Sequence, residues 1–292
     1  MKIFKCNVFA VFFIFGAFLL GNCTNETPSE YYVQILIGGT GKAEIDWGKG
    51  NQKSTYEIID NNLIAGKWCS GSAINTIKIS GDNIVYLEVL ESGLSALTLN
   101  LSGCTALTSL NFRYDFNNKG NKLTTLDVSG CTKLEALYCY GPGLTALDVT
   151  GCTALETLYC YDTGLAALDV TGCTVLEELY CSGTGLTALN VNNSAALKQL
   201  DCSRNRLTTL DLNDCTALVR LNCAANRLTS LDLCSCTGLS VLDCNGNQLS
   251  GPALNALFDT LPVTVSGIVY IYGNPGAGDC IRERATGWRV IY

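Results

Sequence analysis

Residues 131–193 read CTKLEALYCYGPGLTALDVTG, CTALETLYCYDTGLAALDVTG and CTVLEELYCSGTGLTALNVNN, three versions of one 21-residue unit. We number each unit from its first leucine, so that Leu134 is position 1. Positions 4, 11, 14 and 16 are also aliphatic, and position 6 is a cysteine. The same phase continues without a gap to the unit that begins at Leu239. An interval this constant predicts a solenoid in which every turn of the coil has the same cross-section.

The LxxLxL spacing within this period is typical of leucine-rich repeats. Alternation at positions 4 to 6 predicts a short strand with one buried face, and stacked turns would pair these strands into a parallel sheet on the concave side. The opposite arc, TALDVTGC, is too short and too β-branched for a helix, which favours a second narrow β arc. The predicted fold is therefore a mainly β solenoid, with an N-terminal β cap and a small α/β C-terminal cap.

The composition excludes several classes of function. The formal net charge is -7, and no run rich in Lys or Arg occurs, which argues against a nucleic acid partner. The chain has no histidine, the usual general base and the commonest metal ligand. No cofactor motif accompanies the repeats, so we expect no cofactor, no metal and no enzymatic activity.

The first 22 residues have the pattern of an export signal. Lys2 and Lys5 precede an apolar run that is shorter than a membrane-spanning helix and ends before Cys23. This arrangement resembles the lipobox of bacterial lipoproteins, which implies lipidation of Cys23 after removal of residues 1–22. Residues 23–30 would then form a tether. We expect an exported monomer on the outer membrane or cell surface, held to the membrane only by its lipid.

Caps are expected on both sides of the repeats, which we place at residues 84–249. Residues 31–83 contain candidate strands at 31–37, 42–47, 54–59 and 74–79, separated by Gly-rich and Asn-rich turns. Within them, IDWGKG resembles the IDWGDG turn of secreted Bacteroidetes repeat proteins, with Lys49 in place of the Asp. We interpret it as a tight turn packed by Trp47. Residues 250–292 contain a predicted helix at 252–261 and a further strand in GIVYIYGNPG at 267–276. The GNPG turn and the late Trp288 resemble the C-terminal cap of the same proteins, and we expect Leu257 and Trp288 to be buried over the last turn.

Two polar columns admit a structural and a chemical interpretation. Cysteines recur at positions 6 and 19. Neighbouring turns of a solenoid are spaced more widely than a disulfide prefers, which favours buried free thiols over bridges. At position 15 an acidic column, interrupted by Asn190, fits either calcium binding or carboxylates that accept backbone N–H bonds in turns. Because Asn accepts such bonds equally well, the turn role is favoured.

Tyrosines cluster on the exposed face of the predicted sheet. They occupy positions 5 and 7 of three successive turns: Tyr138, Tyr140, Tyr159, Tyr161 and Tyr180. Tyrosine is an effective contact residue, with a large ring and a polar tip, although it also favours strands for purely structural reasons. Beside this cluster, residues 113–122 interrupt the phase and predict a rim loop carrying Arg113, Tyr114 and Phe116. That loop would either bind a ligand or cover the N-terminal module.

Over residues 84–292 the chain resembles internalin-like surface repeat proteins. This resemblance implies a non-catalytic surface lipoprotein that binds a protein partner through its concave sheet. The alternative is a glycan ligand, with the same rings stacked on sugars while Asp162, Glu178 and Asp201 accept hydroxyl hydrogen bonds.

Overall fold

The computed structural model describes residues 30–48, 53–59, 63–70, 75–92, 97–112, 123–263 and 266–292. They form a β-solenoid of about 9 turns with repeats of ~21 residues, which confirms the predicted fold class. Its strands, in chain order, are β1 (Glu30–Gly39), β2 (Gly41–Asp46), β3 (Ser54–Ile58), β4 (Leu63–Ser70), β5 (Asn75–Ser80), β6 (Ile84–Ser92), β7 (Leu97–Gly103), β8 (Ser109–Phe112), β9 (Leu123–Asp127), β10 (Ala136–Tyr138), β11 (Ala146–Asp148), β12 (Thr157–Tyr159), β13 (Ala167–Asp169), β14 (Glu178–Tyr180), β15 (Ala188–Asn190), β16 (Gln199–Asp201), β17 (Arg220–Asn222), β18 (Val241–Asp243), β19 (Gly267–Tyr270) and β20 (Trp288–Ile291). Among these residues, none of the helices has the length and apolar character needed to cross a membrane.

The concave sheet has twelve strands, in the order β20-β19-β18-β17-β16-β14-β12-β10-β8-β6-β1-β4. From β6 to β20 neighbouring strands are parallel, and paired residues share a repeat position. Leu137, for example, lies between Leu110 and Leu158. Because the strands stay in register even where the connecting arc is longer, as between Leu110 and Leu137, each column of side chains continues along the solenoid.

The convex side also contains β structure, as the short arc predicted. One sheet has the order β11-β9-β7-β5-β2-β3, and β13 pairs with β15 in a separate two-stranded sheet. The seam between β11 and β13 leaves a shallow depression of about 510 Å³, lined by Leu147, Leu168 and Leu189 together with the ends of these strands.

Antiparallel strands extend both sheets at the N-terminal end. In the concave sheet β1 pairs with β6 and β4, and in the convex sheet β2 pairs with β5 and β3. The strands expected from the sequence match β1, β2, β3 and β5 to within two residues, whereas β4 was not predicted. Strand β5 already pairs in parallel with β7, so the parallel pairing of the convex sheet begins at Asn75.

The turn after β2 packs as expected. Trp47 is fully buried, the Gly48 N–H donates to Asp46 Oδ1 over 3.0 Å, and Gly48 has a φ of 91°, which favours glycine. Lys49 lies outside the described residues.

The C-terminal cap closes the other end of the core. Helix α1 (Gly251–Thr260) begins after Ser250, whose side chain accepts the Ala253 N–H, and buries Leu254, Leu257 and Phe258. A short 3-10 turn spans Arg282–Arg284. Trp288 is 8% exposed and its Nε1 donates to the Pro262 carbonyl over 3.0 Å. The predicted helix and the predicted burial of Leu257 and Trp288 are confirmed.

The cysteine columns are buried and unbridged. Position 6 holds Cys139, Cys160, Cys181, Cys202, Cys223 and Cys244, and position 19 holds Cys104, Cys131, Cys152, Cys173, Cys215 and Cys236, all free. Each position-19 thiol donates to a carbonyl of the preceding turn, as Cys173 does to Val149 O over 3.4 Å. Burial raises the pKa of Cys160 to about 12, so these thiols are packing groups rather than nucleophiles.

An asparagine ladder at position 9 ties the later turns together. Asn226 Nδ2 donates to Cys202 O over 2.9 Å and to Cys223 O over 3.1 Å, and its Oδ1 accepts the Leu207 N–H over 2.9 Å. Asn205, Asn247 and Asn274 make equivalent bonds. In an earlier turn the same position is Thr163, which makes one bond, to Cys160 O over 2.9 Å. The early turns therefore have fewer side-chain bonds to the backbone.

The acidic column at position 15 stabilises turns. Oδ1 of Asp148 accepts the N–H of Thr150 over 3.0 Å and its hydroxyl over 2.8 Å. These bonds hold the pKa of Asp148 below its ordinary value. Asn190 in the same column accepts the Asn192 N–H over 3.2 Å. Over the described ranges, no group of three or more His, Cys, Asp or Glu is placed to hold a metal ion.

Candidate functional site: the concave tyrosine surface

The five predicted tyrosines lie together on the concave side, and we call them the tyrosine surface. Strands β10, β12 and β14 place Tyr138, Tyr159 and Tyr180 at position 5, in direct register. Tyr140 and Tyr161 lie two residues after Tyr138 and Tyr159, at position 7 of the same turns. Tyr161 is 37% exposed and the other four are half-buried. Sequence reasoning thus grouped these residues correctly in space.

Neighbouring rings contact one another across the turns. The ring centroids of Tyr138 and Tyr159 are 5.2 Å apart at 74°, and those of Tyr159 and Tyr180 are 4.4 Å apart at 55°. Tyr140 and Tyr161 are 4.4 Å apart at 36°. Such pairs contribute about 0.5–1.5 kcal/mol beyond burial. The rings are therefore held in place before any ligand arrives.

A chain of hydrogen bonds fixes two of the hydroxyls. Tyr159 Oη donates to Glu178 Oε2 over 2.9 Å, and Gln199 Nε2 donates to Glu178 Oε1 over 3.2 Å. Tyr180 Oη in turn donates to Gln199 Oε1 over 2.9 Å. Glu178 is thus the carboxylate around which the two hydroxyls and the amide are oriented.

Burial and this carboxylate make the tyrosines weaker acids than usual. The pKa of Tyr159 is raised by burial first and then by its hydrogen bond to Glu178. Burial also raises the pKa of Tyr138, Tyr140 and Tyr180. All of these hydroxyls stay neutral at physiological pH, so the surface presents uncharged rings beside a negative charge.

The other predicted site residues do not all lie on the concave face. Asp201 lies on the concave face at position 5, directly after Tyr180 in the column. Asp162 lies instead in the turn that follows β12, exposed and with a φ of 54°, where its backbone N–H donates to Ser182 O over 2.9 Å. The rim residues Arg113, Tyr114 and Phe116, and Cys23, lie outside the described residues.

Several further concave residues were not among the predicted site residues. Gln199 joins Glu178 to Tyr180, and Asn222 Nδ2 donates to Asp201 Oδ2 over 3.2 Å. Beyond them the column continues with Asp243 and Tyr270, which are paired in register. Tyr272 follows two residues after Tyr270 and is 54% exposed. The GIVYIYGNPG motif contained this signal, because its two tyrosines repeat the spacing of Tyr159 and Tyr161.

The fold is similar to that of two solved proteins from Listeria monocytogenes. The functional domain of InlJ, described as including a cysteine ladder, is 33% identical, matches 68% of this chain and 43% of that one, and gives a TM-score of 0.54. The internalin InlF is 18% identical, matches 68% of this chain and 60% of that one, and gives a TM-score of 0.51. The chain spans less than two thirds of the length of each. No protein-family model and no curated protein matches the sequence.

These structural neighbours are internalins, leucine-rich repeat proteins with a β-solenoid arrangement. The expected resemblance to internalin-like proteins is confirmed at this level, and InlF supports the fold alone.

Proposed function

We propose that this chain is a non-catalytic surface protein that binds a partner protein through the tyrosine surface. The single observation that carries the proposal is the arrangement of five tyrosines on three consecutive turns, with their rings in mutual contact. The concave sheet is the face that solenoids present to ligands. Aromatic residues are enriched at the centres of protein interfaces.

Rigidity supports a binding role over simple strand packing. Ordering a mobile side chain on binding costs about 0.5–1.5 kcal/mol. Tyr159 and Tyr180 are already oriented by the hydrogen bonds to Glu178 and Gln199, so a partner meets a preformed surface.

The proposed absence of catalysis rests on the available groups. The sequence lacks histidine, and the buried cysteine columns consist of thiols whose pKa is raised by burial. A nucleophile needs a lowered pKa or an adjacent base. We propose in addition that Cys23 is lipidated and holds a monomer at the cell surface, with residues 23–30 as a tether.

A glycan ligand is the second candidate. It is favoured by the Tyr140–Tyr161 pair, whose rings are tilted by only 36° and which includes Tyr161, the exposed ring of the tyrosine surface. Rings near one plane suit the flat apolar faces of sugars, and Asp201 would accept hydroxyl hydrogen bonds. A glycan array separates the two candidates: binding that is abolished by Tyr140→Ala and Tyr161→Ala favours sugar, and a blank array favours protein.

Proximity labelling on intact cells tests the leading proposal. A labelling enzyme fused to the chain should mark a partner protein with the wild type and lose it with the double variant Tyr138→Ala/Tyr159→Ala. Asp169→Asn on the convex side is the matched control, because Asn190 performs the same turn role in that column. Equal labelling by the wild type and the tyrosine variant would contradict the proposal.

A further inference from the structure

Beyond the tyrosine surface, the concave face carries a strip of carboxylates that form no ion pair among the described residues. In the position-5 column, Tyr180 is followed on successive turns by Asp201, Asn222 and Asp243. Glu178 lies at position 3 on the Tyr180 strand. Among the described residues, the ion pairs are Lys53–Glu44, Lys198–Glu177 and Arg284–Asp259, and none of these involves the strip.

These carboxylates lie on one face of the sheet, on neighbouring or alternate strands, and all three are half-buried. Asp201 Oδ2 accepts from Asn222 Nδ2 over 3.2 Å, which fixes its orientation. Burial and the nearby charge of Asp201 together raise the pKa of Asp243. Concentrated negative charge of this kind is relieved when a cation approaches.

A buried acceptor lies beside Asp243. Asn245, at position 7 of the same turn, is 5% exposed, and its Oδ1 has no hydrogen-bond partner among the described residues. Position 7 belongs to the concave face, as for Tyr140 and Tyr161, so this unsatisfied acceptor lies at the end of the strip beside Asp243.

One basic residue, Arg220, lies on the strip. It is exposed at position 3, between the turns of Asp201 and Asp243. Positions 3, 5 and 7 from β14 to β18 thus carry three carboxylates (Glu178, Asp201 and Asp243) against this one guanidinium. The strip remains negative, although Arg220 occupies part of the space that a ligand cation would use.

We infer that the concave face takes an extended, basic segment of the partner protein, with two arginine or lysine side chains spaced four residues apart. One cation would lie over the rings of Tyr159 and Tyr180 beside Glu178, and the other between Asp201 and Asp243. Rings and carboxylates together suit a guanidinium, which stacks on aromatic faces and donates to carboxylates. This inference rests on the proposed protein-binding function and adds the chemistry of the partner.

The spacing follows from the geometry of the two sites. Turns of a parallel sheet are about 4.8 Å apart, and the site centres lie two and a half turns apart, or about 12 Å. An extended segment rises about 3.3 Å per residue, so four residues cover about 13 Å. Side chains four residues apart in an extended segment also point to the same side.

Labelled ten-residue Ser/Gly peptides test the inference by fluorescence anisotropy at low salt. The first carries arginines at residues 3 and 7 and should bind. Moving the arginines to residues 3 and 4 leaves one of the two charge pairs and should weaken binding by about two- to five-fold. Replacing both with neutral citrulline removes both pairs and should weaken binding by about two- to thirty-fold, from the usual range for exposed charge pairs. Failure of the first peptide to bind, or equal binding of the citrulline peptide, would overturn the inference.

Protein variants provide the matched controls. Asp201→Asn/Asp243→Asn should weaken binding of the first peptide by about two- to five-fold, and Arg220→Gln should strengthen it by a similar factor. Asparagine fits this column, because Asn222 already accepts the Ala224 N–H there. Asp169→Asn on the convex face should leave binding unchanged, and an equal loss in that variant would contradict the inference. If proximity labelling finds a partner while the peptides fail, only the basic-segment inference is lost.

Discussion

Replacing Asn226 with alanine should destabilise the solenoid more than replacing Thr163, at the same position of an earlier turn, with alanine. Asn226 is 5% exposed and its side chain hydrogen-bonds four backbone groups, of which Ala224 O, at 3.4 Å, also accepts the Arg204 N–H. After the substitution Cys202 O keeps the amide of Asn205, and Cys223 O keeps that of Asn247. The buried Leu207 N–H, in contrast, loses the partner at 2.9 Å.

The magnitude follows from these losses. An orphaned buried N–H costs about 1–3 kcal/mol, and each weakened carbonyl bond adds about 0.5–1 kcal/mol, giving about 3 kcal/mol in total. Thr163→Ala removes one bond, to Cys160 O, and should cost about 1 kcal/mol. The difference between the two variants, rather than either value alone, tests the asparagine ladder.

Urea unfolding measures both free energies. Circular dichroism and tryptophan fluorescence should be followed together, since repeat solenoids can unfold in stages. The fluorescence comes from Trp47 and Trp68 in the N-terminal part of the sequence and from Trp288 near its other end. The reasoning is refuted if Asn226→Ala costs no more than Thr163→Ala.

Four further outcomes are expected. Gly151→Ala should destabilise the fold, because its Cβ would meet Ser129 O at 2.5 Å, whereas Gly278→Ala should be neutral, since nothing lies within 4 Å of the new atom; thermal melts of both variants check this. Ser194→Cys should raise the unfolding free energy by about 1–2 kcal/mol. Ser194 is fully buried, its Oγ lacks a hydrogen-bond partner among the described residues, and it occupies the position where neighbouring turns have cysteine. A lower stability of the variant would contradict this. The unfolding free energy in urea should fall as pH rises above 9.0. Thiols of the unfolded chain ionise near that pH, whereas burial keeps Cys160 protonated in the folded state until its raised pKa of about 12. Equal unfolding free energies at pH 8 and pH 10 would count against this. Calcium and a chelator should give melting temperatures within about 1 °C of each other, because the position-15 carboxylates serve turns; a larger shift would restore the calcium hypothesis.

The repetitive part of the fold was predictable because each turn solves the same packing problem. The constant interval between Leu137, Leu158 and Leu179 sets both the strand and its register. The role of the acidic column followed in the same way, since Asn190 at one of its positions is compatible with a turn acceptor.

Features that depend on long-range pairing were not predictable. Strand β4 contains a glycine in the sequence LIAGKWCS, and its strand state depends on pairing with β1. The pairing of Tyr270 with Asp243 was not predicted, because helix α1 lies between the paired residues Leu242 and Val269 and separates them by more than one repeat. The local pattern predicts the helix, but the register of the strand after it depends on how the longer interval folds.

Side-chain directions within the candidate site were only partly predictable. Tyr138, Tyr159 and Tyr180 follow the alternation of a strand, so their common face was clear from the spacing. The left-handed backbone of Asp162 removes that residue from the strand, and this depends on the local φ angle. The bond from Gln199 to Glu178 depends on the rotamers of both side chains.

Site-specific photocrosslinking tests the central claim, that the tyrosine surface is where the partner binds. A photoreactive benzophenone amino acid would replace Tyr161 on the concave side in one variant and the exposed Ala167 on the convex side in another. Both variants should be irradiated on intact cells under the same conditions. The account predicts a discrete protein adduct from residue 161 and none above background from residue 167. Adducts from residue 167 alone, or equally from both residues, would contradict it.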